Sequence, residues 1–170
     1  EQVTADVLFG QARGEKRPDL AVCVVDATNL RRHLRLVLAV RRLGLPCVVA
    51  TGRSLGWGAV LARVLPVRAV VTENGGAYVL REDRGLRVAF MEPDDVRDEG
   101  MRRVGRCVEE IVDRLPALRV VHDPAARVTD VALDIGERAT VDPAVVREAL
   151  AMVSDAGLHG ITSSIHMHVS

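Results

Sequence analysis

The sequence predicts an α/β fold: a partial doubly wound parallel (Rossmann-like) core followed by a smaller α+β module. In the first part of the chain, unbroken apolar runs of strand length alternate with helical patterns. In the second part, the order becomes helix, two strands, helix, two strands. Strands that alternate with helices indicate a parallel sheet with right-handed crossovers, whereas paired strands between helices indicate an antiparallel sheet. We therefore assign residues 1–92 to the core and residues 93–170 to the module.

Three apolar runs predict the parallel strands of the core, and unbroken apolarity is typical of strands covered on both faces. A short amphipathic helix precedes them, and a hairpin follows the third. The predicted strands are 20–25, 46–50 and 69–72, and the predicted helices are 1–12, 29–43 and a segment that ends near Leu65. Thr28 or Asn29 is the expected N-cap of the second helix, because both side chains can accept a backbone N–H.

The α+β module begins with a helix opened by Pro93, and its first turn carries Asp94 and Asp95, whose negative charge complements the helix dipole. Asp142 and Pro143 start a second helix in the same way. The predicted elements are a helix to about Leu115, strands at 118–122 and 128–135, a helix that Gly157 ends, and two final strands. This order predicts an antiparallel sheet with both helices on one face.

The composition argues against two classes of protein. Twenty-three basic residues balance 23 acidic ones without a long run of either sign, so we expect no nucleic-acid partner. No apolar run reaches membrane-spanning length and no segment has the pattern of a signal peptide, so we expect no membrane partner and a cytoplasmic location. The three cysteines show no metal-binding spacing, which predicts buried, reduced thiols.

Three loops are predicted to meet at the carboxyl ends of the parallel strands, where open α/β sheets bind ligands. They are residues 26–28, 51–54 and 73–76, with the sequences Asp-Ala-Thr, Thr-Gly-Arg-Ser and Glu-Asn-Gly-Gly. A hydroxyl group, two glycine-bearing loops and a helix N-terminus at one edge would suit a phosphate group. The alternative is that Asp26, Thr28 and Ser54 only cap helices, while the glycines only form turns.

Two of these motifs resemble those of a known family. "VVATGRS" and "VVTENGGAYV", followed by a hairpin and the α-β-β-α-β-β pattern, are similar to the haloacid-dehalogenase (HAD) phosphatase superfamily. The resemblance covers about residues 46–170 and is to the type IIB cap subgroup, the Cof-like and sucrose-phosphate-phosphatase-like enzymes. It implies a Mg²⁺-dependent phosphatase for a small phosphorylated metabolite, with residues 93–170 as the cap that decides the substrate.

The resemblance also implies site residues. Thr51 matches the hydroxyl that holds a phosphoryl oxygen, and Asp26 falls at the position of the general acid and base, where it would also be a Mg²⁺ ligand. The residues implied on the phosphate and substrate side are Thr28, Gly52, Arg53, Asn74 and Gly75.

Val24 stands where this family has its nucleophilic aspartate. Valine can neither attack phosphorus nor ligate Mg²⁺, and a covalent aspartyl-phosphate route needs a carboxylate. The lysine and further Mg²⁺ aspartates that follow the cap in the family are also missing from the sequence. We therefore expect no phosphatase turnover from the chain as given.

The first 50 residues resemble a second family. "VVDATNL", a leucine-rich helix and "GLPCVVA" are similar to the G domain of bacterial ferrous-iron transport GTPases (the FeoB family). At the next strand end that family carries an Asn-x-x-Asp motif that reads guanine, where this chain has Thr-Gly-Arg-Ser. The resemblance implies a join of two strand-helix units near residues 50 and 51, with Asp26 capping a turn. A G-domain segment and a non-catalytic fusion or fragment are therefore the alternatives to a phosphatase.

Histidines and aspartates of the second part have two interpretations. His159, His166 and His168 could bind a metal or line a substrate cleft, but half-exposed strand histidines are the favoured interpretation. Asp130 and Asp134 alternate on one strand face and are expected to be solvated rather than to face a cleft.

Two features of the first part also have a simple interpretation. The helix 29–43 carries a row of arginines, for which a solvated face is the default and an anionic partner the alternative. These arginines are Arg31, Arg32, Arg35, Arg41 and Arg42. Trp57, between two glycines, is expected to be a packing anchor that could rim the site.

Both ends of the sequence look cut, since it starts with Glu1 and stops at Ser170 inside a strand pattern. If the chain is part of a longer protein, the strand at 20–25 lacks the neighbours that should flank it. An exposed apolar edge favours pairing with another chain, so we expect marginal stability or self-association through this edge.

Overall fold

The structure, a computed structural model, describes residues 2–25, 29–121 and 126–170. It divides into two compact units, Glu1–Met91 (unit 1) and Glu92–Ser170 (unit 2). Two of the predicted site residues, Asp26 and Thr28, lie outside the described residues.

Unit 1 is built around a mostly parallel sheet. Its elements are α1 (Gln2–Phe9), β1 (Ala21–Val24), α2 (Leu30–Arg42), β2 (Cys47–Ala50), α3 (Leu55–Val64), β3 (Ala69–Thr72), β4 (Ala77–Glu82) and β5 (Gly85–Phe90). The five strands lie in the order β1-β2-β3-β4-β5, with β1, β2 and β3 parallel and the β4–β5 hairpin antiparallel to its neighbours. The predicted α/β fold class is confirmed.

One face of this sheet carries the core of unit 1. The register aligns Cys23 with Val49, Val49 with Val70, and Val70 with Val79. All four side chains are buried and belong to one apolar cluster with residues of α2 and α3. Both helices therefore pack on the same face, as crossovers of one hand require when the strands follow one another across the sheet.

The prediction that the core strands are covered on both faces is wrong for β1. Val22 and Val24 point away from the cluster and are 60% and 74% exposed. Because successive side chains of a strand alternate, the helices that cover Cys23 cannot also cover its two neighbours.

Gly58 allows α3 to approach β3 closely. A Cβ atom at this position would lie 2.2 Å from Cγ2 of Thr72, which is fully buried and donates a hydrogen bond from its hydroxyl to the carbonyl oxygen of Ala77. Only glycine fits such a contact without displacing the helix or the strand. The contact holds the N-terminal half of α3 beside the carboxyl end of β3.

Unit 2 contains the predicted α-β-β-α-β-β order. Its elements are α4 (Asp94–Arg114), β6 (Arg119–Val120), β7 (Val131–Asp134), α5 (Pro143–Asp155), β8 (Gly160–Thr162) and β9 (His166–Val169). The strands form an antiparallel sheet in the order β6-β7-β9-β8. Leu133 and Met167 are fully buried on one face of this sheet, in a cluster with Ile111 of α4 and Val153 of α5.

The cysteines agree with the prediction. Cys23, Cys47 and Cys107 are free and buried, and burial raises the pKa of each thiol above its ordinary value.

Among the helices of the described residues, none has the length and apolarity needed to cross a membrane.

Candidate functional site

The candidate site lies where β2 and β3 end, because neighbouring parallel strands end at the same edge of a sheet. Thr51 follows β2 directly, and its N–H donates to the carbonyl oxygen of Val71 on β3 at 3.0 Å. Its hydroxyl oxygen accepts from the N–H of Arg53 at 3.3 Å. The loop from Thr51 to Ser54 therefore folds back on itself before α3 begins.

Glu73, the first residue after β3, joins β3 to this loop. Its N–H donates to the carbonyl oxygen of Arg53 at 3.0 Å, and its carboxylate accepts from the N–H of Leu55 at 2.7 Å. Leu55 is the first residue of α3, so Glu73 satisfies a backbone donor that the helix itself leaves unpaired. No role for Glu73 is predicted from the sequence, although the residue opens one of the three predicted edge loops.

The turn after β3 has an uncommon backbone. Glu73 and Asn74 both have positive φ angles, 50° and 55°, and Gly75 follows with 109°. Two successive non-glycine residues in this region are costly, and such strain is often found at functional sites. Asn74, predicted to line the site, is exposed, while Gly75 is half-buried.

Ser54 does not cap α3 in the way that one interpretation of the sequence predicts. It lies at the N-cap position and is fully buried, but its side chain makes no capping bond. Within the described residues its hydroxyl oxygen has no hydrogen-bond partner. Glu73 takes the place of Ser54 as the side chain that caps this helix.

The other predicted site residues of unit 1 that the structure describes fall at the same edge. Thr51 is buried, Gly52 and Arg53 are half-buried, and Val24 pairs with Ala50, the residue directly before Thr51. Hydroxyl and backbone N–H groups at a helix N-terminus are suited to a phosphate group. Trp57, in contrast, is 45% exposed, so the prediction that it anchors the packing is wrong.

A second polar group lies in unit 2. The carboxylate of Asp130 bonds the guanidinium of Arg127 at 2.7 Å and Nδ1 of His168 at 2.9 Å. All three residues are buried. Burial alone would raise the pKa of Asp130, but the hydrogen bond to His168 and the charge and hydrogen bond of Arg127 outweigh it and lower that pKa. The prediction that Asp130 is solvated is therefore wrong.

His166 and His168 share a strand face as predicted, but both are buried rather than half-exposed. Their rings lie 5.8 Å apart in an edge-to-face arrangement, and Nε2 of His166 bonds the carboxylate of Glu137 at 2.9 Å. His159 is exposed. Within the described ranges no three histidine, cysteine, aspartate or glutamate side chains come together to hold a metal ion.

A cavity of about 550 Å³ in unit 2 lies beside β6. Its polar lining mixes charges of both signs, including Arg119, Arg138 and Asp142. Asp134 also lines it, but its carboxylate already accepts the N–H groups of residues 136–138, so it forms a turn rather than a ligand site.

Comparison with known proteins identifies the fold. No protein-family model matches the sequence, and no curated protein sequence matches it either. Solved structures do match. A protein of Thermoplasma acidophilum has a TM-score of 0.65 and 18% identity, over 88% of this chain and 63% of that one. The sucrose-phosphatase of Synechocystis sp., solved with sucrose and phosphate, has a TM-score of 0.57 and 19% identity, over 88% of this chain and 62% of that one. The IMP-nucleotidase of Plasmodium falciparum has a TM-score of 0.53 and 9% identity, over 89% of this chain and 52% of that one.

The chain thus spans between about half and two thirds of the length of these structures. The predicted resemblance of residues 1–50 to an iron-transport GTPase is not shown by these matches and stays a prediction. At such low identity a structural match shows the fold alone, so the chain shares the α/β fold of these three structures.

Proposed function

We propose that the chain is a HAD-type phosphatase, or a segment of one, that binds the phosphate group of a small phosphorylated metabolite at the loop from Thr51 to Ser54. One observation carries this proposal. The loop places a buried threonine hydroxyl and the start of a ten-residue helix at the carboxyl end of the parallel strands. The sucrose and phosphate bound to the Synechocystis enzyme support a substrate of this class.

We also propose that the chain as given does not hydrolyse its substrate. Val24 has no carboxylate with which to attack phosphorus. Ala50, the residue of β2 that pairs with Val24, has no carboxylate either. The chain therefore receives the phosphate group but does not form a covalent intermediate with it.

Mg²⁺ is the cofactor that the resemblance implies, and the described residues do not fit it. Mg²⁺ needs several oxygen ligands in octahedral geometry. The carboxylate of Glu73 is engaged by a backbone N–H, Val24 offers no oxygen from its side chain, and Asp26 lies outside the described residues. These described residues therefore offer no set of ligands for Mg²⁺.

Self-association through the edge of β1 is a further part of the proposal. The N–H of Ala21 donates to the carbonyl oxygen of Pro46 at 2.9 Å, and the N–H of Val25 donates to the carbonyl oxygen of Ala50 at 2.8 Å. The backbone groups of Val22 and Val24 therefore point to the open edge, since successive groups alternate along a strand. A second copy that paired there would also cover two exposed valine side chains.

We also propose that the protein is cytoplasmic and that it has no nucleic-acid or membrane partner.

Titration calorimetry with inorganic phosphate tests the binding. We expect the parent chain to bind phosphate, and Thr51→Val to weaken this binding about tenfold, which is the loss expected for one hydrogen bond to a charged group. Thr162→Val, at an exposed position of β8, is the matched control and should leave the affinity unchanged. Equal affinities for the parent and Thr51→Val would contradict the proposed site.

Two further measurements separate the alternatives. We expect no hydrolysis of p-nitrophenyl phosphate with Mg²⁺, either by the parent or by Val24→Asp, because a single carboxylate does not replace the missing lysine and aspartates. Mg²⁺-dependent hydrolysis by Val24→Asp would show that the site is more complete than proposed. Binding of GDP but not of inorganic phosphate would favour the G-domain alternative, and binding of neither would favour a non-catalytic fragment.

A further inference from the structure

We infer that Glu73 is the positioning residue of the loop from Thr51 to Ser54: it fixes the loop against β3 and holds the first N–H of α3. The hydroxyl group of Thr51, which is proposed to bind the phosphate group, is thereby held in place. This inference rests on the proposed function, because it concerns how the same loop binds phosphate.

The contacts of Glu73 reach both ends of the loop's second half. Its N–H bonds the carbonyl oxygen of Arg53, and its carboxylate bonds the N–H of Leu55. Ser54 lies between these two anchors, so its backbone is held from both sides. The residue is only 3% exposed, which shields both hydrogen bonds from water and makes them stronger than at the surface.

Glu73 takes one backbone donor at the start of α3. A helix N-terminus attracts anions through its N–H groups and its dipole. The first N–H of α3 is already donated to the carboxylate of Glu73, so a phosphate at that place would meet a like charge 2.7 Å from the donor it needs. The hydroxyl group of Thr51, at the other end of the loop, is the group proposed to bind the phosphate.

The backbone of Glu73 indicates that its placement is a requirement of the site. A glutamate with a φ of 50° is strained, whereas glycine would adopt this angle without cost. The close approach of α3 to Thr72 at Gly58 brings the helix start to this residue. Strain of this kind persists only where the surrounding contacts determine it.

Three variants test the inference. Glu73→Gln keeps an acceptor oxygen for the N–H of Leu55. Glu73→Ala removes the acceptor. Glu73→Gly also removes it but relieves the strained backbone, so this variant is expected to keep the fold. Glu82→Ala is the matched control, because Glu82 is an exposed carboxylate of the same unit that pairs with Arg87.

Two quantities are measured for each variant: the rate of amide hydrogen exchange at Leu55, and the affinity for inorganic phosphate. We expect Glu73→Ala and Glu73→Gly to accelerate exchange at Leu55 and to weaken phosphate binding, each at least tenfold. Glu73→Gln and Glu82→Ala should stay within about threefold of the parent in both. A purely structural cap would lower the melting temperature of Glu73→Gly but leave its phosphate affinity unchanged in the folded protein, and that result would overturn the inference.

The two readouts also separate this inference from the proposed function. If the parent binds no phosphate, the proposed function fails. The exchange rate at Leu55 alone then decides whether Glu73 positions the loop. Fast exchange at Leu55 in Glu73→Gly, restored in Glu73→Gln, would still support the positioning role. Unchanged exchange in Glu73→Gly would overturn it.

Discussion

Glu73 in unit 1 and Asp130 in unit 2 are both buried carboxylates, but they are held by different chemistry. Glu73 accepts a backbone N–H at the start of a helix, where the dipole and the free donor both favour negative charge. Asp130 lies between a buried guanidinium and a buried imidazole. The comparison teaches that burial alone does not tell how much a carboxylate matters: the cost of removing it depends on what it leaves behind.

For Glu73 the group left behind is a neutral N–H, and loss of a helix cap costs about 0.5–2 kcal/mol. For Asp130 it is the charge of Arg127, whose side chain is 3% exposed. A buried charge that loses a carboxylate partner costs far more than an amide N–H that loses its acceptor. The two carboxylates should therefore respond very differently to the same substitution.

The largest expected effect is that of Asp130→Ala. We expect it to lower the free energy of unfolding of unit 2 by about 3–5 kcal/mol, because it takes the carboxylate at 2.7 Å away from the buried guanidinium of Arg127. Calorimetry of the whole chain measures it. Glu99→Ala is the matched control, since Glu99 pairs with Arg102 at 2.7 Å and both side chains are more than half exposed, and exposed pairs contribute at most about 1 kcal/mol. Equal losses for the two variants would remove the distinction between the buried carboxylates.

The lowered pKa of Asp130 gives a second test of the same contrast. Its unfolded value is near 3.8, so its contribution to stability is complete above that pH. The contribution is lost as the pH falls below this value and through the lower pKa of the folded state. The variant Asp130→Asn has no carboxylate to protonate at this position. The melting temperature of the parent should therefore fall more steeply in acid than that of this variant. Parallel curves would contradict the assignment.

A smaller effect is expected for Gly58→Ala, which tests how unit 1 holds its own carboxylate. The added methyl group would overlap Thr72, so we expect a loss of about 1–3 kcal/mol. Gly105→Ala on α4 is the matched control, because nothing lies within 4 Å of its Cβ position. That control should be stabilising by about 0.5–1 kcal/mol, as alanine is in helix interiors. A stabilising Gly58→Ala would show that α3 does not need this close approach.

The order of elements could be predicted from the sequence because it depends on local patterns. Apolar runs, helix starts at Pro93 and Pro143, and the motifs at Thr51 and Glu73 gave the right elements in the right order. The capping of α3 could not be predicted in the same way. Ser54 had the right residue type and position, but Glu73, distant in sequence, takes the bond, and only the pairing of β2 with β3 brings it there.

Exposure was predicted less well, for the same reason in both units. Alternation along a strand shows which residues share a face, but it does not show what lies over that face. The apolar run of β1 predicted cover on both faces, yet Val24 is exposed. The polar alternation around β7 predicted solvent, yet Asp130 is fully buried because charged partners compensate it.

The smallest effect on stability, and the clearest on association, is expected for Val24→Thr. Threonine has nearly the shape of valine, and at a position that is 74% exposed the change should alter stability by less than about 0.5 kcal/mol. If β1 pairs with a second copy, the hydroxyl group weakens that contact, because it must be buried there without a partner. Sedimentation velocity over a range of concentrations should therefore show less dimer than for the parent. Val88→Thr, at the opposite edge of the same sheet, is the matched control and should leave the dimer unchanged. A parent chain that is monomeric at all concentrations would mean that the open face of β1 is tolerated in water, as single exposed apolar residues are on most proteins.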